Sequence, residues 1–395
     1  MLGAAVLLIA NVTVIDGTGS MPGAPQSVLV RNGRIVAMGE VRAPRDAEVL
    51  DGTGKFLIPG LWDMHTHVLK DADRTFPKLL AAGVTGVRNM HVEAPESLAI
   101  AVRVRAEVER GTRLGPRVVA SGPIVDGPNP VFAASIGVGD AAVAKRTVRM
   151  LKAGGADFIK VYDLLPRDAY FAIAAEAKKV RLPFAGHVPI WVTAEEAARS
   201  GQRSIEHLSG VFEACTADGK LDRELKQAMN LWPISRTISA VQMHEVVRKA
   251  AATYDAAICE PLFQVFVEKR VWQCPTLCML GKVQSAGMAV VRQMNAAGVA
   301  MLAGTDAGNE GSEPGVSLHR ELELLVEAGL TPMEALQSAT RNAAEYLGKQ
   351  QEWGTIAKGR AADLVLLEAN PLEDIRNTRR IAAVVVRGRV LPSHP

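Results

Sequence analysis

The sequence predicts an α/β fold: eight parallel strands alternating with helices, plus a small β domain assembled from both chain ends. Two observations point there. Apolar β-type runs alternate with helical patterns between residues 59 and 349, as a parallel sheet with crossover helices requires, and residues 1–58 and 350–395 read instead as short strands joined by tight turns. Length is a third: 395 residues would suit two or three domains, yet α/β barrels reach this size as one.

Taken in order, the apolar start Met1–Ala10 has no charged leader and runs directly into Asn11–Gly17, which favours a strand over an export signal. Val28–Val30, the turn Asn32-Gly33 and Ile35–Met38 form a hairpin signal. In the middle, strands are expected near 60–65, 85–90, 117–121, 158–162, 183–187, 204–207, 272–276 and 299–305. Asp140 and Gly154 bracket one helix, Thr193 with Glu196 opens another, and Thr331-Pro332 with Glu334 opens a third that Gly348 ends. Asp363–Leu367 reads as a buried strand, and Val384–Val386 with the turn Arg387-Gly388 as a closing hairpin. Connections 122–139 and 208–271 exceed ordinary loops. In a barrel they emerge on the face where active sites form, so they are candidates for substrate pocket and lid.

Composition narrows the function classes. Forty-five basic and 42 acidic residues, interspersed, leave a net charge of +3 and no basic stripe that would neutralise phosphates, so nucleic acid is not expected as a partner. No run approaches the roughly 20 apolar residues of a membrane span, and a cytoplasmic location is expected. Cys215, Cys259, Cys274 and Cys278 are too few for a disulfide scaffold and lack zinc-finger spacing; they read as reduced core or helix residues.

Chemistry is concentrated at strand ends. His65 and His67 stand two apart on an extended segment, which puts both imidazoles on one face. Lys160, His187, His207 and Asp306 each end a later strand, and strand ends converge at one mouth of a barrel. Taken singly, His187 and His207 would pass for core histidines and Asp306 for a helix cap. Lys160 would not: a buried ammonium must be paired or chemically altered.

These six residues, in this order, resemble the binuclear class of the amidohydrolase superfamily, and the likeness spans nearly the whole chain. Asn11–Gly19 is similar to that family's first sandwich strand, Leu57–His67 to its first barrel strand, and Gly354–Leu364 to its return into the sandwich. The resemblance implies a (β/α)8 barrel with a β-sandwich built from both termini. It also implies two divalent ions, usually zinc, bridged by a carboxylated Lys160, one held by His65, His67 and Asp306 and the other by His187 and His207. A carbamate on Lys160 would turn an unfavourable buried cation into a bridging anion. Two ions sharing a water would acidify it and polarise a carbonyl, with Asp306 as general acid and base. The expected reaction is hydrolysis of a small amide: a dipeptide, an N-acyl amino acid or a similar compound.

Within the superfamily the likeness runs toward imidazolonepropionase-like members, including Xaa-Pro dipeptidases. Where those carry a Gly-Gly-His-Gly run this chain has Val125–Pro130, and Pro189 stands where they have an aromatic residue. Tyr162, His91, Arg88, Asn129 and Asn309 are candidate substrate contacts by their places near strand ends; His244, His319 and His394 receive no role. A cyclic-amide hydrolase is the alternative, with a deaminase behind it because Lys160 fits that branch poorly. A non-catalytic scaffold would be expected to have lost some of the six residues. The expected partner is a small amide substrate, and a homo-oligomer is compatible with the sequence.

Overall fold

A computed structural model describes residues 6–94, 96–216, 224, 227 and 245–391. His244, His394 and most of 217–244 lie outside them. The chain opens with β1 (Val6–Val14), β2 (Gln26–Arg31), β3 (Arg34–Gly39), β4 (Glu48–Asp51) and β5 (Phe56–Pro59). The middle supplies β6 (Leu61–Thr66), β7 (Val84–Asn89), β8 (Arg117–Ala120), β9 (Ile124–Asp126), β10 (Ile136–Gly137), β11 (Ile159–Val161), β12 (Phe184–Gly186), β13 (Ser204–Glu206) and β14 (Trp272–Cys274). The end returns as β15 (Leu364–Leu367), β16 (Ile381–Val386) and β17 (Arg389–Val390).

Both chain ends share one sheet in the order β17-β16-β15-β5-β1-β2-β3, with β4 beside β1. Asn32 (φ 51°) and Gly33 (φ 73°) make the tight β2–β3 turn, and Arg387 (φ 50°) and Gly388 (φ 76°) the β16–β17 turn, as their residue types predict. Alternate residues of these strands, among them Leu7, Ile9, Val28, Val30, Leu364 and Leu366, point inward to a common apolar core.

The middle strands pair in parallel, β6-β7-β8 in one sheet and β10-β9-β11-β12-β13-β14 in another. Asp157, two residues ahead of β11, donates its amide to Ala120 O at the end of β8 at 3.0 Å. The eighth expected strand, 299–305, forms one isolated bridge, Met301 with Gln273, not a ladder, yet it hydrogen-bonds on both sides: Met64 N to Ala303 O at 2.9 Å and Leu302 N to Gln273 O at 2.8 Å. Backbone bonding thus runs in a closed circuit. The strand interiors are fully buried, consistent with helices packed outside.

Helix signals hold with one exception. Asp140 caps Ala141–Ala153, and Thr193 with Glu196 and Thr331 with Glu334 form reciprocal capping boxes. The helix begun at Thr331 ends at Ser338, and a second runs Arg341–Tyr346. The break frees two carbonyls for the strands: Ser338 O accepts from Ala303 N and Ala339 O from Trp62 N. Among the described residues no helix is long and apolar enough to cross a membrane.

The cysteine expectation needs correction. Cys215 and Cys259 form a disulfide, because the short helix Val211–Ala214 packs against Ala256–Lys269 and brings their Cα atoms to 4.8 Å. A separation of 44 residues hides that proximity from the sequence. Cys274 and Cys278 are free, as expected.

Candidate metal centre

Lys160 is the first residue to place, because β11 has no exposed face on which to leave it. Its neighbours in register are Ile124 and Ala185, and the side chain is only 1 % exposed. Burial pushes its ammonium down to about 8, although Glu206 and Asp306 oppose the shift. Among the described residues no carboxylate lies within ion-pair distance of it, and its nitrogen stands 5.6 Å from the Tyr162 ring centre.

The histidines gather around it. His65 and His207 ring centres are 4.5 Å apart, His187 and His207 4.9 Å, and His65 and His67 5.4 Å. Asp306 closes the group, its Oδ1 3.2 Å from His65 Nε2 and 2.9 Å from His67 Nε2. Special backbone makes this packing possible. Gly304 leaves room where a Cβ would fall 2.8 Å from His65 Cβ, and Gly186, at φ 136°, passes against Val161 O just before His187. His207 (φ 58°), Thr276 (φ 48°) and Asp306 (φ 61°) all adopt left-handed backbone. For a β-branched residue such as Thr276 that conformation is costly, and strain of this kind concentrates at functional sites.

Three imidazoles are oriented from behind. His65 Nδ1 lies 2.9 Å from Glu206 Oε2, His187 Nδ1 2.8 Å from Asp163 Oδ1, and His207 Nδ1 2.7 Å from Thr276 Oγ1. The Thr276 hydroxyl donates its one proton to Pro275 O at 2.8 Å, so from His207 it accepts. Each ring therefore spends its Nδ1–H on an oxygen and turns an Nε2 lone pair toward the cavity, which is how metal-ligating histidines are held. Burial keeps the His67, His187 and His207 rings in their neutral form. His65 Nε2 and Asp306 Oδ1 are buried with no hydrogen-bond partner, although they face each other. His65, His67 and Asp306 can reach one cation together, and this donor set suits a divalent ion. His65, Glu206 and Cys274 also cluster, but Arg88 already neutralises Glu206 and burial keeps the Cys274 thiol protonated.

All six residues line one cavity of about 170 Å³, together with His91, Tyr162, Asn309 and Phe132. Neither nitrogen of the buried His91 has a partner within hydrogen-bond geometry. Two expected substrate contacts fall elsewhere. Arg88 is wholly buried behind the site, donating from Nε to Met64 O and from Nη2 to both Glu206 oxygens at 2.9 and 2.8 Å, and Asn129 is exposed and absent from the cavity lining. Sequence reasoning passed over Glu206, Asp163, Thr276 and Phe132. Glu206 carried the same signal as Lys160, a charge inside an apolar strand; Asp163 and Thr276 carried none, since their role depends on which loop lies beside which ring.

A model of a family described as the amidohydrolase family matches residues 56–391. An ochratoxinase of Aspergillus niger is 25% identical over 432 residues, covering 93% of this chain and 83% of that protein. An imidazolonepropionase of Deinococcus deserti is 27% identical over 384 residues, covering 89% and 88%. Among solved structures, a Xaa-Pro dipeptidase with bound methionine in its active site superposes with a TM-score of 0.75 at 19% identity, covering 98% of this chain and 100% of that one.

Proposed function

Since the chain belongs to the amidohydrolase family, we propose that it is a two-metal hydrolase that cleaves the C–N bond of a small amide, such as an N-acyl amino acid or a dipeptide. The observation that carries this reading is the set of imidazoles whose Nδ1 atoms are tied back while their Nε2 atoms face one cavity beside Lys160 and Asp306. In this reading His65, His67 and Asp306 would hold one divalent ion and His187 and His207 the other, with a carboxylated Lys160 as an anionic donor to them. Zinc suits nitrogen and carboxylate donors of this kind. Such ions supply Lewis-acid polarisation of the scissile carbonyl and acidify a water.

The chain's own groups do the rest. Asp306, at the cavity edge, takes the proton of the attacking water on a carboxylate oxygen and returns it to the departing nitrogen. Tyr162 keeps its phenolic proton, since burial and the nearby Asp163 push it well above its ordinary value, so it can donate to a substrate oxygen. His91, pushed down to about 4 by burial, is a neutral imidazole in the wall of the same cavity and can bond a polar substrate group. The closed hydrogen-bond circuit of the middle strands supports a (β/α)8 barrel from 59 to 349, and the shared core of the end strands a composite β-sandwich of 1–58 and 350–395.

The test is one purified sample. Metal analysis should find close to two divalent ions per chain, a chelator should abolish turnover, and a panel of N-acyl amino acids, dipeptides and lactams should contain a substrate. Full activity with one ion or fewer would reject the binuclear reading; preference for a lactam would select the imidazolonepropionase-like alternative.

A further inference from the structure

A second cavity adjoins the first, and its walls differ in kind. The residues that give the first cavity its polar end, Lys70, Asp71, His91 and Glu93, follow β6 and β7. The second, about 540 Å³, lies over the ends of β11 to β14 and is walled by Val188, Ile190, Leu208, Phe212, Met279 and Leu280. Tyr162, His187 and His207 line both, so the two chambers meet at the centre described above. Two acids line it: Asp163, which is bonded to His187, and Glu213 on the helix Val211–Ala214; Ser209 Oγ is engaged with the Val188 backbone. The chamber is of a size that holds drug-like ligands, and apolar side chains form the larger part of its lining. The helix Val211–Ala214, which supplies part of the wall, is followed at once by Cys215, bridged to Cys259.

We propose that this chamber receives a large apolar acyl group, so that the substrates are N-acyl compounds with a long aliphatic or aromatic acyl side and a small polar amine side. This deepens the hydrolase reading and rests on it. The orientation follows from Asp306: it lines the polar cavity and not the apolar chamber, so the nitrogen it protonates lies on the polar side and the acyl carbon chain extends the other way. Lys70, exposed at the polar end and in no ion pair among the described residues, suits an anionic group on the amine side.

The zinc-loaded protein is assayed with N-acylglycines from acetyl to octanoyl, and titrated calorimetrically with butanoate, hexanoate and octanoate. Both kcat/KM and affinity should rise about fourfold per added methylene, the worth of burying one CH2, until the chamber is filled. Ile190→Trp and Met279→Trp, which narrow it from the segments after β12 and β14, should flatten the dependence on acyl length, with turnover of the acetyl compound reporting that each variant is folded and active. Turnover that ignores acyl length, or that rises only when the amine side is lengthened, overturns the proposal and leaves the hydrolase intact. Length-dependent fatty-acid binding without hydrolysis of any amide would keep the chamber and sink the hydrolase reading.

Discussion

Glu206 Oε2 stands 2.9 Å from His65 Nδ1, and the same carboxylate is gripped through both oxygens by Arg88 Nη2. All three side chains are buried to 1 % exposure or less. Burial by itself would raise the Glu206 carboxyl, but Arg88 and His65 hold it well below the ordinary range. A fixed anion therefore sets the tautomer and tilt of His65 from behind, and Arg88 fixes the anion.

Replacing that carboxylate tests the arrangement. Glu206→Gln retains the volume but removes the charge, and should lower metal affinity about 10- to 100-fold, the usual effect of losing a group that orients a ligand. Competition with a chelator measures it. Unchanged affinity in a folded variant would mean that His65 needs no such support.

The same pair shows how far the sequence could be read. Strand ends, hairpin turns and capping boxes are local, so Asn32-Gly33, Thr193 and Thr331 announce themselves. The six cavity residues were legible because each ends an apolar strand and a parallel sheet gathers such ends. Arg88 looked like a substrate contact for that reason, yet it points away from the cavity to Glu206, 118 positions on. Thr276 and Asp163 orient histidines 69 and 24 positions away, and Cys215 finds Cys259 across 44. Partnerships of that span are set by packing, not by spacing. The break in the helix expected between Thr331 and Gly348 has the same origin: strand amides of Ala303 and Trp62 claim the carbonyls of Ser338 and Ala339.

Stability should fall in acid partly through Glu196. The Arg167 guanidinium and the Thr193 cap bring its carboxyl from 4.5 down to about 2. The folded value is depressed, so its contribution is present above pH 4.5 and is lost as pH falls through about 2. Urea titrations of wild type and Glu196→Gln should differ by a constant amount above that upper value and converge toward pH 2. A gap that stays constant with pH would show that the ion pair adds nothing, which the solvent exposure of Arg167 makes a fair contest.

Asp306→Asn separates binding from chemistry. On the two-metal reading proposed above, His65, His67 and a bridging Lys160 would remain, so most metal should stay bound, while the proposed acceptor for the water proton would be gone. Turnover should drop by a factor of about 10² to 10⁴. Near wild-type turnover with both ions in place would remove Asp306 as the base.

Lys160 carries the strongest demand for chemical conversion. An ammonium lodged beside His187 and His207 would repel two divalent ions, whereas a carbamate at the same nitrogen would bridge them. Carbamate formation needs the neutral amine and carbon dioxide. Burial has already brought this amine to about 8, so more of it is neutral at a given pH than for an exposed lysine, and bound metal would trap the product. Protein reconstituted with zinc and 13C-bicarbonate should show a carbamate resonance that Lys160→Ala lacks. Yield in metal-free protein should rise with pH through about 8, as the neutral amine becomes the majority form. Lys160→Ala should lose activity and the second ion, Lys160→Glu, shorter but anionic, should keep part of the metal, and small carboxylates should partly restore the alanine variant. Two fully occupied ions with no carbamate signal would show that another group bridges them, and the bare amine would then need a counter-charge that none of the described residues offers within ion-pair distance.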